Sequence, residues 1–227
     1  SSAASDVYKR QDYELPDGWS IIAAGNRLTD SAAVYQMPSP VRNRLAHYEL
    51  EANYEDWCNW AITNKIQPLL VSFIRYRTNL LYNFNPDEYA FPTPRTWVFV
   101  DKMLKNEPDN ADQQELFFGV SSLVGDGPAG EFIAFKEIAD KLPDIDGLIA
   151  DPSTYKRDDN PAVLYALTGA VSARAEDKTI ENIMKINNKL PVEFQVILIK
   201  GVLAVDKQLR SNDVVKKWIV DNANVVL

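Results

Sequence analysis

Four positions in the 227-residue chain pair a residue type with a setting that suits phosphate chemistry. Arg95 follows Thr93-Pro94, a helix-capping residue and then a proline at the first helical position. Free backbone N–H groups and the positive end of the helix dipole favour an anion there, and a guanidinium adds a full charge. A cation at a helix start is otherwise slightly unfavourable, so Arg95 asks for an anionic partner. Arg42 and Arg44 flank a turn in MPSPVRNR, residues 37–44. A guanidinium is always charged and forks onto phosphate oxygens, although most such pairs are simply solvated. Asn26 ends a short apolar run, where its amide can donate and accept without adding charge. Its plainer role is support of the Gly25-Asn26 turn.

A chain that worked on nucleotides by itself would need a phosphate cradle, and GxxxxGK[ST] occurs nowhere in the sequence. The nearest glycine cluster, GDGPAG at 125–130, lacks the lysine, lies between helical segments and reads as a loop. His47 has no Ser or Cys nucleophile motif nearby and reads as structural. Cys58 fits an apolar helix face and reads as core. Asp144, Asp146 and Asp151 are too irregular for a calcium loop. The Trp57–Trp60 pair and the phenylalanines at 117, 118, 132 and 135 read as packing, not as base-stacking platforms.

The elements that must position these residues are mostly helical. Residues 19–24 form an apolar run ending at Gly25-Asn26, the pattern of a strand buried on both faces. Leu45 to Ala52 alternates and reads as a second strand. Beyond Asn53 the period is helical. Tyr54, Trp57, Cys58, Ala61 and Ile62 share one face behind an Asn53 cap. Further helices follow Pro68, Thr93-Pro94 and Asn160-Pro161, and others run through Leu116–Val124, Phe132–Leu142, Ile180–Ile186, Phe194–Leu209 and Val214–Ile219. The stretches 83–92 and 143–160, rich in Pro, Asp and Asn, read as linkers. Two strands are too few for an independent sheet, so the remaining strands are expected upstream. Residues 1–11, SSAASDVYKRQ, carry no periodic signal and read as a non-native or disordered segment.

Composition sets outer limits. Hydrophobic residues make up 46% and aromatic residues 11%, enough to build a sizeable core. The formal net charge of -8, without a basic stripe, gives no support for nucleic-acid binding. One Cys and one His leave no disulfide framework and no zinc cluster within the chain. No apolar stretch is long enough to span a bilayer, so no membrane partner and a cytoplasmic address are expected.

The motifs AAGNRLTD (23–30), MPSPVRNRLAH (37–47), WCNWA (57–61) and AFPTPRTW (90–97) together resemble the second half of a MoxR-like AAA+ ATPase, in the branch common in tailed phages and prophages. The resemblance continues through EFIAF (131–135), LPDIDGLIADP (142–152), ALTGAVSARA (166–175) and LPVEFQV (190–196). It implies a mainly α chain: a two-strand remnant of an α/β AAA+ core at 12–53, a helical lid at 54–107 and a helical C-terminal extension at 108–227. It also implies a homo-oligomeric, hexameric ring in the intact protein. That ring would bind ATP and Mg and remodel an unknown protein substrate. In that scheme Asn26 matches sensor 1, Arg44 matches the arginine finger and Arg95 matches the sensor 2 contact to bound nucleotide. Arg42 is the alternative finger, and Leu45 stands where an aromatic is usual. The phosphate-binding and magnesium-binding segments would lie upstream, so this chain alone is expected neither to bind nor to hydrolyse ATP. The competing expectation is a non-catalytic, all-helical interaction protein.

Overall fold

A computed structural model describes residues 16, 18–19, 22–25, 37–85, 87–106 and 112–223. The described residues form eleven α-helices and no strand, so the protein is mainly α. The chain divides into two units, Ser1–Tyr48 and Glu49–Leu227.

In the first unit, Pro38 and Pro40 start a single helical turn, α1 (Ser39–Arg42), with no buried residue. The strand expected at 19–24 is not formed over its described positions, and the one expected at 45–52 is not formed at all. Ile22 is 93% exposed and Tyr48 86% exposed. A strand with apolar side chains needs neighbouring strands to satisfy its backbone and cover its faces. None of the described residues supplies one.

In the second unit the helices begin largely where the sequence offers caps. The Asn53 side chain accepts from the Glu55 and Asp56 amides at 2.8 and 3.0 Å and opens α2 (Tyr54–Thr63). α3 (Pro68–Tyr76) starts on its proline. Before α4 (Pro94–Lys105), Thr93 and Thr96 bond each other's backbone in a reciprocal capping box. α5 (Gln113–Val124) and α6 (Asp126–Asp140) are joined by Gly125 alone, at φ 86°. GDGPAG is therefore not a loop: its last five residues are the start of α6. Pro128 can sit there because the first turn leaves its amide without an intrahelical acceptor anyway.

The stretch 143–160 is also more ordered than a linker. Asp144 caps α7 (Ile145–Ala150), and a 3₁₀ turn follows at Pro152–Thr154. Asn160 then caps α8 (Pro161–Ser172) through the Ala162 amide at 3.0 Å. α9 (Ile180–Asn187), α10 (Val192–Val205) and α11 (Asp213–Asp221) complete the order. The helix expected over Phe194–Leu209 stops at Val205. Asp206 turns extended there, and its carboxylate accepts from the Gln208 amide at 2.8 Å to start a 3₁₀ segment, Lys207–Ser211.

Two apolar cores meet on α8. One gathers Phe73 with Trp97, Phe132 and Phe135, their ring centroids 5.3–5.6 Å from Phe73, and takes Ala162 and Ala166 from α8. The other packs Leu164, Leu167 and Val171 of α8 against Ile180, Ile183, Leu198 and Trp218. Small residues let α8 approach both neighbours. Gly169 faces Ser72 of α3, and a Cβ on Gly201 of α10 would lie 2.8 Å from Cβ of Ser172. A buried polar lock holds the α2–α3 turn on α4. Asp101 accepts from the Gln67 amide at 2.8 Å and from Lys105 at 2.6 Å, while Lys105 also donates to the Lys65 carbonyl at 2.7 Å.

Candidate functional site

The start of α4 is the best-positioned of the expected phosphate contacts. Trp57 donates its indole N–H to the Pro94 carbonyl at 3.3 Å and ties the first turn of α4 to α2. Trp97, fully buried, anchors the next turn by donating to the Leu80 carbonyl at 2.7 Å. The first-turn donors are mostly committed: Pro94 has none, Thr96 N–H bonds Thr93 Oγ1 at 3.0 Å, and Trp97 N–H bonds the Thr93 carbonyl at 3.1 Å. The Arg95 amide keeps no such partner among the described residues. Its guanidinium is exposed and lacks an ion-pair partner among them as well. One main-chain donor and one cation thus face solvent on a capped, 12-residue helix. That arrangement can hold one anionic oxygen group. It is not a cradle for a triphosphate.

Arg44 lies in the first unit, in the turn closing α1, where its amide bonds the Val41 carbonyl at 3.0 Å. Its side chain is exposed, as is that of Arg42, and neither has a partner among the described residues. His47 has a structural contact, its Nε2 lying 2.8 Å from the Arg42 carbonyl oxygen across the same turn. Asn26 lies outside the described residues. The three expected nucleotide contacts therefore fall into three classes: Arg95 in the helical unit, Arg44 in the N-terminal unit, and Asn26 undescribed.

Cys58 is core, as its helical face implies, at 2% exposure. Burial pushes its thiol from 9.0 to about 11, against a smaller opposite pull from the neighbouring Arg75 guanidinium. A thiol so far from ionisation at neutral pH is not a nucleophile. Arg75 belongs to no motif in the sequence. It is half-buried, reaches Cys58 and also acts on Tyr54 and Tyr165, with no carboxylate ion pair among the described residues. Its spacing is the one available signal: it stands one helical turn from Val71 and Ser72, both buried. The aromatic residues divide. Trp57, Phe132 and Phe135 are buried, whereas Trp60 is 46% and Phe118 59% exposed.

No family model, curated protein or solved structure matches the chain. The family expectation is therefore carried by the motifs themselves. Among the described residues, no cluster of three or more His, Cys, Asp or Glu could hold a metal ion. No helix among them is long and apolar enough to cross a membrane.

Proposed function

We propose that this chain is the C-terminal part of a MoxR-like AAA+ ATPase, a hexameric ring that couples ATP hydrolysis to remodelling of a protein partner. The observation that carries this reading is Arg95: a guanidinium and an amide with no partner among the described residues, on a helix start held by Thr93, Thr96 and Trp57. An anion would pair with both groups at once, and a nucleotide phosphate is the anion that the surrounding AFPTPRTW motif implies. Arg44 supports the reading as a second exposed guanidinium on a proline-braced turn, suited to reach a nucleotide held by a neighbouring subunit. The chain's residues fit one or two phosphate contacts and not the whole nucleotide. ATP and Mg would be held chiefly by segments upstream, to which a two-strand remnant around residues 19–24 and 45–52 would pair.

The second reading, a non-catalytic helical interaction protein, is favoured by a different observation. The described residues of 49–223 build two apolar cores with no strand among them. The gene sequence upstream of the codon for Asp12 separates the two. An in-frame strand–GxxxxGK[ST]–helix segment supports the ATPase, and a start codon immediately before Asp12 supports the interaction protein.

A further inference from the structure

We propose that the cleft between the end of α6, helix α7 and helix α8 is a binding site for a small apolar molecule carrying one acidic group. The cleft has a volume of about 770 Å³, and its apolar surface comes from Ile138, Leu142, Leu148, Val163 and Leu167. That is the size and character of a small-ligand pocket, in which apolar walls supply affinity and a few polar groups supply orientation.

The polar groups at its edge are unequal. Lys141 and Lys156 line the cleft and have no ion-pair partner among the described residues. Every other cation close by is committed: Lys136 to Asp140 at 2.7 Å, Arg157 to Asp159 at 3.1 Å, Arg174 to Asp146 at 2.6 Å, and Lys189 to the Pro152 carbonyl at 2.6 Å. The cleft's two carboxylates are occupied by backbone donors instead. Asp144 accepts from the Asp146 and Gly147 amides at 3.2 and 3.1 Å, and Asp158 accepts from the Asn160 amide at 2.7 Å. Tyr155 also lines the cleft, but its hydroxyl oxygen is itself buried, with the Asp158 backbone beside it. Two ammonium groups without an ion-pair partner among the described residues, beside an apolar floor, select an acceptor-bearing anion with a hydrocarbon body. This site is independent of the nucleotide reading.

Decanoate, decanol and decylammonium, below their aggregation concentrations, distinguish the possibilities when titrated into ¹⁵N-labelled full-length chain. Decanoate should give saturable amide shifts at 141–148 and 154–158. Lys141→Gln with Lys156→Gln should weaken it about threefold to tenfold, while leaving decanol unchanged. Both lysines are exposed, and an unaltered far-ultraviolet circular dichroism spectrum verifies the fold of the double variant. Leu148→Trp, which fills the cleft, should abolish the shifts; if that variant unfolds, Val163→Phe serves the same purpose. Absence of saturable shifts overturns the proposal. So does equal binding of decanoate and decanol, or preference for decylammonium.

Discussion

Gly169 of α8 lies directly against Ser72 of α3, with no room for a side-chain carbon between them; a Cβ there would also lie 3.3 Å from the Pro68 carbonyl oxygen. The serine hydroxyl can rotate away, but the carbonyl belongs to the first turn of α3 and cannot. α8 carries both cores, so this one contact governs how the two halves of the helical unit join.

Gly169→Ala should therefore destabilise the protein by about 1–3 kcal/mol, because overpacking at a helix crossing outweighs the better helix propensity of alanine. In a thermal melt this lowers Tm by several degrees. Gly130→Ala is the matched control. It sits in α6, and a methyl group added there would meet nothing within 4 Å, so it should raise stability by about 0.5–1 kcal/mol. Equal effects of the two substitutions would remove the crossing argument.

Asp101 is only 2% exposed and satisfies both the Gln67 amide and Lys105. Asp101→Ala leaves a partly buried amide without an acceptor and should cost about 2–3 kcal/mol in a urea titration. Asp101→Asn keeps an acceptor for Gln67, and Lys105 is exposed enough to remain hydrated. It should cost about 1 kcal/mol.

Cys58 makes stability pH-dependent in a defined window. Below pH 9 the thiol is protonated in both folded and unfolded chains and contributes no slope. Between 9 and about 11 the unfolded chain loses its proton while the folded chain keeps it, so stability falls as pH rises through that range. Burial also raises Tyr54, Tyr155 and Tyr165, which steepens the fall at the upper end. Cys58→Ala should remove the part of the decline that begins near pH 9. In the native protein at pH 8, Cys58 should resist iodoacetamide until denaturant is added. Rapid alkylation without denaturant would contradict its burial.

Much of the helical unit is legible in local chemistry. Asn53, Thr93-Pro94 and Asn160-Pro161 announce helix starts because their side chains satisfy amides that no helix can satisfy for itself. What escapes such a reading depends on context. Gly125 ends one helix and immediately begins another, and composition alone does not separate that hinge from a glycine-rich loop. Asp206 interrupts an otherwise continuous apolar run because its carboxylate can cap a new turn, a local competition that periodicity ignores. The expected strands lack neighbours among the described residues, and alternation alone cannot supply a pairing partner. Of the site, the setting of Arg95 is legible from its capping residues, whereas Arg75 and the α6–α8 cleft arise from residues far apart in sequence.

Arg44 and Arg95 are proposed to contact nucleotide, and steady-state ATP turnover tests that proposal most directly. If an in-frame phosphate-binding segment is found upstream, Arg44→Ala in that longer protein should lower turnover by about 10³-fold or more while retaining ATP binding. Arg95→Ala should impair nucleotide binding within its own subunit and should not be rescued by added wild-type subunits. Wild-type turnover in both variants would contradict the assignment of either arginine to a nucleotide.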